Sequence, residues 1–150
     1  MRQYSGMSPE RGYPASVASQ QVVVERVETP VMFKRVADEV TAIGHGMHEV
    51  EKAVGLRGRK YYGAFNNDGE YRICVQLRES DEPHALGLEV GSLPGGRYAR
   101  ERLTGEPPKI YELIGPTFER LSRRPDRDSS RPRIEFYRRR DVIDLLLPIV

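Results

Sequence analysis

The spacing of apolar and polar positions changes along this chain in an order that predicts its elements. Alternation at period two marks Gln21–Val27, Val31–Ala37, Lys60–Phe65 and Tyr71–Leu77 as extended segments. The "NNDG" stretch between the last two predicts a hairpin turn. Ile43, Met47, Val50 and Val54 fall on one helical stripe and predict a helix from about Glu39 to Val54. Gly44 and Gly46 each cost that helix about 1 kcal/mol against Ala and predict a bend in it.

The same order then returns. Leu86–Ser92 and Arg97–Leu103 read as strands around a "PGG" turn. Pro107–Arg123 reads as a helix with Ile110, Leu113, Ile114, Phe118 and Leu121 inward. Pro116 removes a helical N–H, so this helix must kink or split. Arg133–Tyr137 with Val142–Val150 forms a closing hairpin.

The two hairpins superpose without a gap at a spacing of 72 (61 to 133, 71 to 143). Tyr61, Gly63 and Phe65 fall on Arg133, Glu135 and Tyr137. Tyr71, Ile73, Val75 and Leu77 fall on Ile143, Leu145, Leu147 and Ile149. "TP" before one inner strand matches "LP" before the other. The pattern predicts an α+β fold from a duplicated β-α-β-β unit: a pseudo-two-fold antiparallel sheet with two helices packed on one face. The repeats span about 20–80 and 84–150 of a domain covering 20–150. Residues 1–19 show no period and are expected to be a flexible tail. A cleft is expected where the halves meet, since such junctions favour ligand sites.

Composition narrows the chemistry. Charged residues make up 31% of the 150, yet the net charge is only +2, which supplies no strong field for nucleic acid. The arginines from 120 to 140 are interleaved with Glu119, Asp126, Asp128 and Asp141, and read as a solvated face. The one cysteine, Cys74, rules out an internal disulfide and suits a reducing cytoplasm; its strand context reads as a buried structural thiol. No run approaches the roughly 18–20 apolar residues of a membrane span. "GHGMHE" carries His45, His48 and Glu49, but its histidines stand three apart instead of four, and His84 would have to complete a metal site. No metal or cofactor is expected.

One residue disturbs the pattern. Glu135 sits inside a β-branched and aromatic run, between Ile134 and Phe136. Strand parity puts Glu135 and Tyr137 on one side and leaves open whether that side is solvent or a cavity. Tyr61 and Phe65 share their parity through the repeat and are candidate aromatic walls; Tyr98, on an inner strand, is a further one. A carboxylate among tyrosines suits a desolvated cation.

"LPGGRYARERLTGEPPKIYELIGPTFERL" followed by "RPRIEFYRRRDVIDLLLPIV", with "YYGAFNND" and "YRICVQL" in the matching places of the first half, resembles the GyrI-like small-molecule-binding domain. That family also supplies the effector-binding domains of AraC- and MerR-type regulators. The resemblance covers about residues 20–150 and implies a ligand cleft between the repeats. It also implies that Glu135 and Tyr137, matching the family's Glu-x-Tyr, meet a lipophilic cation. Residues 1–19 leave no room for a helix-turn-helix, so the stand-alone form is expected. The family offers two further roles: hydrolysis of cyclopropane-bearing toxins, with Glu135 as general base and Tyr137 or Tyr61 as proton donor, and a gyrase-inhibitor type of protein interaction. The residues themselves supply no nucleophile–base pair or triad.

Overall fold

The alternating runs form strands and the apolar stripes form helices in a computed structural model that describes residues 21–150. The tail expected over 1–19 lies outside the described residues. In chain order the elements are β1 (Val22–Arg26), β2 (Thr29–Ala37), α1 (Val40–Val54), β3 (Tyr61–Phe65), β4 (Glu70–Gln76), β5 (Glu89–Leu93), β6 (Gly96–Thr104), α2 (Lys109–Glu112), α3 (Ile114–Leu121), β7 (Arg133–Arg139) and β8 (Val142–Pro148). The strands make one antiparallel sheet in the order β1-β6-β8-β7-β3-β4-β2-β5.

The register carries the duplication. β3 and β7 lie side by side at the centre, with Gly63 opposite Glu135, Tyr61 opposite Tyr137 and Phe65 opposite Arg133. Each residue thus faces the repeat-mate of a residue on its own strand, and a pseudo-two-fold axis passes between Gly63 and Glu135. The outer strands correspond at a spacing of 67 (22 to 89, 29 to 96). Their pairing is exchanged: β1 bonds to β6, and β5 bonds to β2. The links Val27–Glu28 and Pro94–Gly95 join strands at opposite edges of the sheet. So short a link spans about 10 Å, and the sheet curls into a half-barrel to bring its edges together. Ser92 Oγ donates to Glu28 Oε2 at 2.7 Å across this junction.

Each face of the sheet has its own core. Met32, Ile73, Leu103 and Leu145 pack under the helices with Ile43, Val50, Ile114 and Leu121. Val31, Phe33, Tyr62, Ile134, Phe136 and Leu146 fill the opposite face, where the Tyr62 and Phe136 rings stack at 4.7 Å.

The two helix glycines have different roles. An ideal Cβ on Gly46 would lie 2.7 Å from Val36 Cγ1 and 2.8 Å from Ile73 Cδ1, so this glycine lets α1 press against the sheet. Nothing lies within 4 Å of such a Cβ on Gly44. Gly44→Ala is therefore expected to stabilise the fold by about 0.5–1 kcal/mol, and Gly46→Ala to destabilise it by about 1–3 kcal/mol. Urea unfolding of both variants checks the opposite signs.

The second helix does split. The break falls at Leu113, between α2 and α3, and Pro116 is the third residue of α3. There its missing N–H is one that the first turn leaves without an intrahelical partner, so the proline starts a helix more than it bends one.

The polar loop before β7 is pinned by Arg131. Its guanidinium donates to the carbonyls of Ile149 (2.6 Å), Arg97 (3.1 Å) and Gly95 (3.2 Å), and it pairs with Asp128 at 3.0 Å. The Asp128 carboxyl is held at about 2, first by the Ser130 hydroxyl and amide and then by Arg131. A lowered folded value contributes stability that is present above the ordinary carboxylate range and lost as pH falls through 2. The melting difference between the wild type and Asp128→Asn should therefore be full at pH 7 and shrink between pH 4 and pH 2. A difference that stays constant to pH 2 would show that Asp128 does not hold the loop by its charge.

Candidate functional site

β7 reaches Glu135 at the pseudo-two-fold axis, and the parity that points Glu135 toward the helices decides its surroundings. The side chain is fully buried (0% exposed). Oε1 accepts two hydrogen bonds from hydroxyls, one from Tyr137 at 2.5 Å and one from Tyr71 at 2.7 Å. Such short O–H···O contacts are those of a hydroxyl donating to a carboxylate. Burial, and next the charge of Glu135, push the Tyr137 phenol well above its ordinary value, so it stays a donor.

Tyr71 reaches across the sheet because Gly63 leaves the space. An ideal Cβ on Gly63 would lie 1.7 Å from the Tyr71 hydroxyl oxygen and 2.4 Å from its Cζ. Glycine is otherwise a poor choice inside a strand, and its position opposite Glu135 fits this close approach.

Beside Tyr137 opens a cleft of about 620 Å³. Tyr61 and Tyr137 rise from the sheet, Met47 and Glu51 come from α1, and Tyr111 from α2. Three tyrosines, Met47 and Leu56 supply its aromatic and apolar wall beside His48, Glu51 and the arginines, and Glu135 lies one hydroxyl behind Tyr137. Tyr61 donates to Gly55 O at 2.7 Å, and burial followed by the charge of Glu51 lifts its phenol to about 12. Burial and then Glu51 also raise Tyr111.

The rim is basic, but each arginine has an acid nearby. Arg59 pairs with Asp81 at 2.7 Å, Arg138 with Asp144 at 3.5 Å, Arg140 with Glu106 at 3.8 Å and Arg139 with Asp141 at 3.9 Å. Glu51 has no basic partner among the described residues. Asp144 is shared, since Arg102 holds it at 2.6 Å and 3.0 Å.

The structure brings Glu135, Tyr137 and Tyr61 together and separates the other two expected residues. Phe65 lies across the axis, beside Phe118 at 5.4 Å, in a different cleft. Tyr98 lies on the opposite face of the sheet, where its hydroxyl donates to Pro94 O at 2.6 Å and the Arg131 guanidinium sits 4.9 Å above its ring. Strand parity is the reason: Ala99 and Leu103 of β6 pack under the helices, and Tyr98 alternates with them.

Tyr71, Glu51 and Tyr111 were not signalled by parity or motif. Gly63 was the available clue to Tyr71: a glycine at the repeat-mate of Glu135, flanked by strand formers. Elsewhere, Cys74 is buried and its thiol is pushed up to about 12, mainly by burial. His48 lines the cleft, and no group of three His, Cys, Asp or Glu side chains gathers among the described residues. No helix among these residues is long and apolar enough to cross a membrane.

No family model matches this chain, and a search of curated proteins finds no match. Solved structures do match. An integron cassette protein of Vibrio cholerae superposes with a TM-score of 0.70 at 15% identity, covering 87% of this chain and 95% of its own. SAV2435, solved with tetraphenylphosphonium bound, superposes with a TM-score of 0.62 at 11% identity, covering 87% and 94%. A protein from Staphylococcus aureus MU50 described as a putative transcription regulation protein gives 0.57 at 11% identity, covering 87% and 98%. At these identities the likeness is one of fold: this chain shares its curled, duplicated α+β sheet with all three.

Proposed function

We propose that this chain binds lipophilic small molecules, cationic or aromatic, in the cleft formed by Tyr61, Tyr137, Met47 and Tyr111. One observation carries the reading: a fully buried carboxylate, held only one tyrosine hydroxyl from an aromatic cleft of about 620 Å³. A buried charge is costly unless something compensates it. Two tyrosine hydroxyls donate to it, and a delocalised cation stacked between tyrosines would gain from its charge at little desolvation cost to itself. A neighbour of the same fold was solved with such a cation, tetraphenylphosphonium, which supports the choice of ligand class. The GyrI-like resemblance of the Glu-x-Tyr segment points the same way.

The test is calorimetric titration with tetraphenylphosphonium, followed by amide mapping of the contact surface by NMR. Low-micromolar binding that shifts Met47, Tyr61, Tyr111 and Tyr137 is expected. Binding that leaves these four amides unmoved would reject the cleft as the site.

A further inference from the structure

A second cavity, of about 440 Å³, opens beside α3. Its lining follows from the duplication. Gly115, Phe118, Glu119 and Ser122 stand at one constant spacing of 71 from Gly44, Met47, His48 and Glu51 of the first cleft (44 to 115, 51 to 122). On the sheet, Arg133 takes the place of Tyr61, and Phe65 takes the place of Tyr137. The two cavities are mates across the axis between Gly63 and Glu135.

The mate positions carry different polar groups. Where the first cleft has Glu135 behind Tyr137, this one has Gly63; where the first has Glu51, this one has Ser122. The Arg133 guanidinium lies 5.4 Å from the Phe65 ring centroid, and Asn67 Oδ1 accepts from its Nη1 at 3.0 Å, which orients it at the cavity wall. Phe65 and Phe118 meet edge to face and supply an aromatic corner. Glu119 is exposed and lies on the helix side, so an acidic ligand group is directed to the Arg133 and Asn67 side.

We infer that this mate cavity is a second binding site, selective for small aromatic anions. A ring placed in the Phe65–Phe118 corner brings a carboxylate or sulfonate to the guanidinium, a charge-assisted contact the first cleft does not offer below its tyrosines. The inference stands whether or not the first cleft is occupied.

The experiment is an NMR titration of the full chain with 2-naphthoate and, in parallel, with its neutral carboxamide. The expected result is millimolar or tighter binding of the acid, with shifts at Phe65, Gly115, Phe118 and Ser122. The carboxamide should bind at least fivefold more weakly. Arg133→Gln should weaken the acid about tenfold, and Arg133→Lys less. Should Arg133→Gln perturb the fold, the comparison of acid and carboxamide in the unsubstituted chain decides alone. Equal affinity for acid and carboxamide, shifts confined to Met47 and Tyr111, or no shift at several millimolar would overturn the inference. Tetraphenylphosphonium titrated separately reports on the first cleft, so the two sites succeed or fail independently.

Discussion

Glu135→Gln is expected to weaken tetraphenylphosphonium binding ten- to hundredfold while leaving the fold intact. The amide oxygen of glutamine accepts the same two tyrosine hydroxyls that Glu135 Oε1 accepts at 2.5 Å and 2.7 Å, so the geometry survives. What disappears is a unit charge. At about 6 Å from a ligand cation and an effective dielectric of about 20, that charge contributes about 3 kcal/mol, and partial screening through the open cleft reduces it to roughly 1.4–2.8 kcal/mol. A neutral ligand of the same shape should lose less than twofold, because its affinity rests on burial and stacking. Calorimetry on both ligands separates these cases. Equal losses for the two would mean that the substitution had disturbed the cleft and not its charge. Stability should not fall, since a buried carboxylate costs more to desolvate than an amide.

Gly63→Ala is expected to lower stability by about 3 kcal/mol, or about 6–12 °C in melting temperature for a chain of this size. The added methyl would overlap the Tyr71 hydroxyl, and Tyr71 is fully buried with nowhere to move. Tyr71→Phe in the same background should restore only part of the loss, because Cζ itself lies 2.4 Å from the new methyl. Thermal unfolding followed by circular dichroism gives the numbers. A shift below about 2 °C would show that Tyr71 does not pass over Gly63 as described.

These two expectations rest on features that the sequence revealed unequally. Both hairpins, α1 and the shared face of Glu135 and Tyr137 were legible, because period and parity are local properties of a chain, whereas parity left open whether that face was solvent or cavity. The ungapped match at 72 held because the paired positions Phe65 and Tyr71 are as far apart in sequence as Tyr137 and Ile143. The outer strands were not legible to the same degree, since insertions before α2 change the spacing and the turn dipeptides mislead by three residues. Tyr98 was a candidate only as a residue of an inner strand, and its parity turns it away from the cleft. The bond from Tyr71 to Glu135 spans two strands and 64 residues of sequence, and no local pattern encodes it. Phe65 had the right parity and the wrong side of the axis, a distinction that only the β3–β7 register makes.

The exchange of the outer strands reaches beyond the site. Val22 pairs with Arg100 and Glu89 with Phe33, so each half completes the edge of the other half's sheet. Separating the halves breaks both edges at once, and neither repeat keeps a closed hydrogen-bond ladder by itself. Unfolding along the repeat boundary is therefore disfavoured, and amide exchange in the two halves should report one cooperative unit. Folding must close the long loops before these pairs form, which makes it slow for a chain of this length. A single unit with such a first strand would satisfy its partner only in a second copy. In one polypeptide, the fold holds the connectivity of a strand-swapped dimer.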